Sequence, residues 1–214
     1  MIKEQLNTIL EIPVDTVHLS GELIIPPKSL GLVIFSHGSG SSRLSPRNRF
    51  VAAQLQRNNF GTLLFDLLTP LEDSIYANRF NIELLTIRLI GVYKWLRKQP
   101  GWGDLNFGFF GASTGAASAL SAAASLKEVH AVVSRGGRPD LVLRELPQVQ
   151  ASVRLIVGGL DDTVIALNKK ALHALESVKH KDLVLVEGAT HLFEEPGTLE
   201  EVAVLATEWF KKYL

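Results

Sequence analysis

The stretch from Leu105 to Leu126, LNFGFFGASTGAASALSAAASL, constrains this chain more than any other. Its apolar run Leu105 to Phe110 is a buried strand by pattern. It runs into Gly111-Ala112-Ser113-Thr114-Gly115, and an alanine-rich segment without a helix breaker follows at once. A Gly-x-Ser-x-Gly between strand and helix predicts a turn so sharp that only residues lacking a Cβ can flank the serine. Such a turn pushes the Ser113 hydroxyl out of the sheet at the positive end of the next helix, where backbone N–H groups can meet a developing oxyanion. The bare pattern would arise by chance in about one chain of this length in ten to fifteen. Its placement therefore carries the argument, against the plainer reading of a serine that only caps a helix.

Strand-like apolar runs and helical patterns alternate along most of the 214 residues, which predicts a mostly parallel sheet covered by helices on both faces. Residues 7 to 25 alternate apolar and polar, suggesting an antiparallel hairpin with its turn near Ser20-Gly21. Gly31 to Ser36 reads as a buried strand ending in the loop His37-Gly38-Ser39-Gly40-Ser41-Ser42. A helix is expected from N-cap Ser45 and Pro46 to about Asn58, then a strand over Gly61 to Leu67 and a long polar loop. Ile82, Leu85, Leu89, Val92 and Leu96 form one stripe of a helix from about Arg79 to Gln99. Later strands are expected at His130 to Ser134, Val153 to Gly158 and Leu183 to Val186. The last helix should open with a capping box from Thr198 to Glu201.

Ligand sites in open parallel sheets form beyond the carboxyl ends of the strands. Three loops leaving such ends carry Ser113, then Asp161 or Asp162, then His191, in the chain order Ser, Asp, His. A serine hydroxyl is a poor nucleophile, so a histidine must accept its proton, and a carboxylate must hold the imidazole in the right tautomer. Ser113 is read as nucleophile, His191 as base and Asp161 as the orienting carboxylate, with Asp162 the alternative or a helix cap. The N–H groups of Ser39 and Thr114 are the expected oxyanion donors, with His37 a structural residue of its loop. Arg43, Arg135 and Arg138 lie near the presumed active face, as clamps for a substrate carboxylate or as partners of nearby acids such as Asp140.

Composition excludes several other functions. With 22 basic and 22 acidic residues and no polybasic run, no nucleic-acid partner or membrane surface is expected. The absence of cysteine removes disulfides, thiolate metal sites and a thiol nucleophile. Gly38-Ser39-Gly40 lacks the third glycine of a dinucleotide fingerprint, and no Gly-Lys-Ser/Thr occurs. The opening MIKEQLNTIL lacks a signal-peptide core, so a cytoplasmic protein with one domain over residues 1–214 and no cofactor or metal is expected. Its expected partner is a small ester-type molecule, and its expected state a monomer or small homo-oligomer.

The set SHGSG (Ser36 to Gly40), GASTG, GGLDDTV (Gly158 to Val164) and GATHLF (Gly188 to Phe193) resembles the α/β-hydrolase fold, and within it the dienelactone hydrolase-like group. SHGSGSSRLSPRNRFVA with VVSRGGRPDL also resembles hydrolase domains found fused to phosphoribosyltransferases. The resemblance implies an eight-stranded, mostly parallel sheet and serine-type hydrolysis of an ester, lactone or thioester. Dienelactone hydrolases proper use a cysteine where this chain has Ser113. No segment after the strand at His130 is long enough for a helical cap, so an open pocket is expected. The same constellation would serve acyl transfer or perhydrolysis, and a non-catalytic binding protein could keep the fold.

Overall fold

One eight-stranded sheet organises the computed structural model, which describes residues 4–214. The first three residues of the opening segment lie outside the described residues. The chain runs β1 (Leu6–Val14), β2 (Val17–Ile25), β3 (Gly31–Ser36), α1 (Pro46–Arg57), β4 (Phe60–Phe65), α2 (Pro70–Asp73) and α3 (Ile82–Arg97). It continues β5 (Phe107–Ala112), α4 (Thr114–Ser125), β6 (Val129–Arg135), β7 (Ser152–Gly158), α5 (Asp162–Ala174), β8 (Lys181–Val186) and α6 (Thr198–Tyr213). The strand order is β1-β2-β4-β3-β5-β6-β7-β8, antiparallel in the first two pairings and parallel from β4 to β8.

Burial on both faces explains why β3 and β5 are almost entirely apolar. Along β3, Leu32 and Ile34 enter the core beneath α3, α4 and α5, while Val33 and Phe35 enter the core beneath α1 and α6. In β5, Phe107 and Phe109 take the first side and Phe110 the second. Of the predicted stripe of α3, Leu85, Leu89, Val92 and Leu96 are buried on the first side, while Ile82 at the helix start is only partly buried against it. Between β6 and β7 lie only two short 3₁₀ turns, Pro139–Val142 and Leu146–Gln148, so no cap covers the carboxyl edge there. Among the described residues no helix is long and apolar enough to cross a membrane.

Three local expectations are corrected. The hairpin turns at Asp15-Thr16, with Val14 opposite Val17 and Asp15 at φ 51°, and Ser20-Gly21 lies inside β2. Gly21 is there because a Cβ would come within 3.1 Å of Ile12 and Leu63. The segment between β4 and α3 is not a polar loop: it holds α2 and a 3₁₀ turn, and it exposes Leu71, Ile75, Tyr76 and Phe80. At α6 the capping position belongs to Gly197, at φ 84°. The Thr198 hydroxyl bonds back to the Glu195 carbonyl instead of forming the predicted box.

Candidate active site

The β5–α4 junction forces Ser113 into a left-handed conformation, φ 52° and ψ −122°. Few non-glycine residues adopt such a backbone unless their surroundings hold them in it. The surroundings here are Ser113 N–H donating to the Arg135 carbonyl at 3.1 Å and Arg138 N–H donating to the Ser113 carbonyl at 3.1 Å. Packing does the rest, since a Cβ on Gly115 would run into the Ser36 and His37 carbonyl oxygens. Gly38 sits in tight but less severe surroundings: a Cβ there would come 3.1 Å from the Ser113 Cβ and 3.2 Å from the Ala112 carbonyl oxygen.

The loops after β7 and β8 bring Asp161 and His191 together across 30 residues of chain. His191 Nδ1 lies 2.7 Å from Asp161 Oδ2. Asp161 stands at the N-cap of α5 yet makes no capping bond, because its carboxylate is turned to the imidazole. Asp162 enters the first turn of α5 and makes no side-chain hydrogen bond to His191. The His191 loop is braced from within, Thr190 N–H and Oγ1 both donating to the Glu195 carboxylate at 3.1 and 2.6 Å. These bonds hold the exposed Glu195 carboxyl below its ordinary pKa.

Ser113 and His191 line a single cavity of about 250 Å³ with Gly38, Ser39, Arg47 and Arg135. Other surface hollows form elsewhere, one between Arg154 and Tyr213 at the opposite strand ends, away from Ser113 and His191. Thr114, first residue of α4, has no carbonyl one turn back inside its helix, so its N–H is one of the helix's free donors. Ser39 departs from expectation: its N–H is engaged, donating to Thr114 Oγ1 at 2.8 Å, because that hydroxyl stands where the β3 loop crosses the start of α4. His37 is buried with both ring nitrogens committed, Nδ1 to the Gly38 carbonyl at 2.9 Å and Nε2 accepting from Leu67 N–H at 3.1 Å.

The three arginines separate. Arg43 is held by Asp66, whose carboxylate accepts its backbone N–H at 2.7 Å and lies 3.6 Å from Nε. Arg138 is bidentate with Asp140 at 2.8 and 2.9 Å. Neither is among the residues lining the cavity; of the two alternatives, each pairs with a nearby acid, Asp66 for Arg43 and Asp140 for Arg138. Arg135 does line it, and Arg47, overlooked in the sequence, joins it from α1. The signal for Arg47 was a first helical turn with no acidic residue. Among the described residues no group of three or more His, Cys, Asp or Glu side chains is placed to hold a metal ion.

A strained serine at the β5–α4 elbow, a carboxylate after β7 and a histidine after β8, on a sheet of this order, define an α/β-hydrolase fold. A dienelactone hydrolase from Anabaena variabilis is 50% identical, superimposes with a TM-score of 0.94 and matches 99% of each chain. This chain belongs to the dienelactone hydrolase family. A Pyrococcus furiosus esterase, 19% identical with a TM-score of 0.79 over 98% of this chain and 93% of that one, shares the fold. Two Mycobacterium tuberculosis proteins named as phosphoribosyl transferases are 55% identical over 199 residues, 92% of this chain but 44% of their own length. The chain thus spans less than half the length of those relatives. No protein-family model matches the chain.

Proposed function

We propose that the chain is one serine hydrolase domain that cleaves a carboxylic ester, lactone or thioester through an acyl-enzyme. The observation that carries this reading is the 2.7 Å contact between Asp161 and His191 on the wall of the cavity that Ser113 enters. Asp161 accepts Nδ1–H, which leaves Nε2 as the free base. Ser113 Oγ attacks the carbonyl carbon as its proton passes to Nε2. Collapse of the tetrahedral intermediate then breaks the bond to the leaving oxygen or sulfur, which takes that proton. Water repeats the sequence on the acyl-enzyme and frees Ser113. The N–H of Thr114 is the first oxyanion donor. Ser39 N–H becomes the second if it turns from Thr114 Oγ1 to the substrate.

Membership of a family whose Anabaena variabilis member is a dienelactone hydrolase supports hydrolysis. The name of the longer Mycobacterium tuberculosis relatives describes whole proteins of which this chain matches less than half. Turnover of p-nitrophenyl acetate by wild type and Ser113→Ala tests the reading. The variant should fall to the residual rate of the oxyanion hole and binding alone, about 10³–10⁴-fold over water. Wild-type turnover in Ser113→Ala would refute it, and a fluorophosphonate probe should label wild type at Ser113 only.

A further inference from the structure

Asn168 lies on α5 about two turns beyond Asp161 and is fully buried, with Val164, Ile165 and Ala171 on the same helix face. Its Oδ1 has no partner, a loss that an apolar side chain of the same size would not suffer. What Asn168 supplies is two donors. Nδ2 gives one bond to the Val164 carbonyl at 2.8 Å and one to the Gly137 carbonyl at 3.0 Å. Helix geometry already partners the Val164 carbonyl with the backbone N–H of Asn168. The Gly137 carbonyl, just beyond β6, accepts no other bond among the described residues.

That bond reaches Ser113 through one rigid unit. The Gly137 carbonyl and the Arg138 N–H belong to the same planar peptide, and Arg138 N–H donates to the Ser113 carbonyl at 3.1 Å. The Ser113 carbonyl takes a second bond, also 3.1 Å, from Ala116 N–H of its own helix. The peptide has little room to tilt, since a Cβ on Gly137 would overlap Ser134 Oγ and come within 2.6 Å of the Ala116 Cβ. Hydrogen bonds that share a peptide in a dry interior polarise and strengthen one another. The Asn168 bond therefore tightens the grip on a serine whose φ of 52° must be imposed by its surroundings. The same helix presents Asp161, which holds His191 Nδ1 at 2.7 Å. One rigid element thus fixes the His191 ring at its start and the Ser113 backbone about two turns on.

We propose that Asn168 is a positioning residue for Ser113: through the Gly137–Arg138 peptide it holds the serine carbonyl and fixes the elbow to the helix that carries Asp161. The inference rests on the hydrolase reading above and adds the group that sets the distance between Ser113 Oγ and the His191 ring. Asn168 is not among the residues lining the cavity, so it acts on the rate of attack and not on substrate binding. Small displacements of a reacting atom are enough to slow attack.

Asn168→Leu and Asn168→Ala both delete the donors but leave different volumes, so together they separate the bond from packing. On p-nitrophenyl acetate, well below each variant's unfolding midpoint, both should lose about tenfold in kcat with KM within about twofold. Labelling of Ser113 by a fluorophosphonate should slow by the same factor. Amide hydrogen exchange at Ser113 and Arg138 should quicken about tenfold relative to Val132 and Val133 of β6. The proposal is overturned by a kcat near wild type in both variants, by a kcat that follows stability from one variant to the other, or by exchange at Ser113 and Arg138 that keeps step with β6. If one variant does not fold, the other carries both measurements. If the wild type hydrolyses no ester, the hydrolase reading is retired, and the exchange comparison alone decides whether Asn168 holds the elbow.

Discussion

The backbone N–H of Ser39 donates to Thr114 Oγ1 at 2.8 Å, tying the loop after β3 to the residue that follows Ser113. The bond spans 75 residues of chain and positions both donors of the proposed oxyanion hole by one contact. Thr114→Val keeps the shape and removes the acceptor, so the loop loses its anchor and Ser39 N–H its partner. A lost bond of this kind is worth about 1–2 kcal/mol of stability. Because Ser39 N–H must leave Thr114 Oγ1 to serve the oxyanion, we expect Thr114→Val to lose about that much stability while kcat does not fall by more than about threefold, and Thr114→Ser to stay near wild type in both. Urea unfolding and steady-state kinetics on one neutral ester measure the two, and a tenfold loss of kcat in Thr114→Val would mean that the bond persists during turnover.

Asp161 and Asp162 are neighbours in sequence and differ sharply in surroundings, since only Asp161 reaches His191. Replacing the orienting carboxylate by its amide favours the wrong imidazole tautomer and costs about 10⁴-fold in the best-studied serine protease. Asp161→Asn should therefore lower kcat about 10³–10⁴-fold, while Asp162→Asn should stay within about threefold. A larger loss at Asp162 would mean that the 2.7 Å contact is not the working one.

How much of this could be read beforehand depended on whether the cause was local. Strands β3 and β5 were legible because burial on both faces leaves an unbroken apolar run, and β7 because Leu155 to Val157 keep one after Arg154. The three loops followed because sites of such sheets form at strand ends. The hairpin turn was misplaced because Gly21 is small for packing against Ile12 and Leu63, whereas the true turn uses Asp15 and Thr16, a weaker signal. Arg135 and Arg138 stand three residues apart and look equivalent in sequence. Only the fold shows that Asp140 claims one while the other is buried against α1. Arg47 was missed for the same reason: a first turn without an acid hints at a bare helix start, but the cavity it joins exists only when α1, β6 and the His191 loop meet.

The elbow glycine gives a stability test with an internal contrast. At Gly115 an added Cβ meets backbone carbonyl oxygens of Ser36 and His37, atoms that cannot move without shifting β3. Gly188 has φ +71° but open space around it. Gly115→Ala should destabilise the fold by about 3 kcal/mol or more, and Gly188→Ala by about 1–2 kcal/mol through backbone strain alone. Urea unfolding of both variants ranks them, and equal losses would show that packing at the elbow is looser than the contacts imply.

His37 makes the fold sensitive to mild acid. Burial lowers its pKa, and although the Gly38 carbonyl, Asp66 and Asp73 push the other way, the net direction is down. The neutral ring fits its surroundings because Nδ1–H donates to Gly38 while Nε2 accepts from Leu67 N–H; a proton on Nε2 would break the second bond. Between the lowered folded pKa and the unfolded value near 6.5, the unfolded chain binds more protons than the folded one, so stability rises with pH across that window. The contribution is fully present above about pH 6.5 and is lost as the pH falls through the window. Urea unfolding at steps from pH 7.5 to 5 should show wild-type stability declining below about pH 6.5. His37→Gln should be less stable at pH 7.5 but decline less steeply, because the group that binds the proton is gone. Parallel curves for the two proteins would remove His37 as the source.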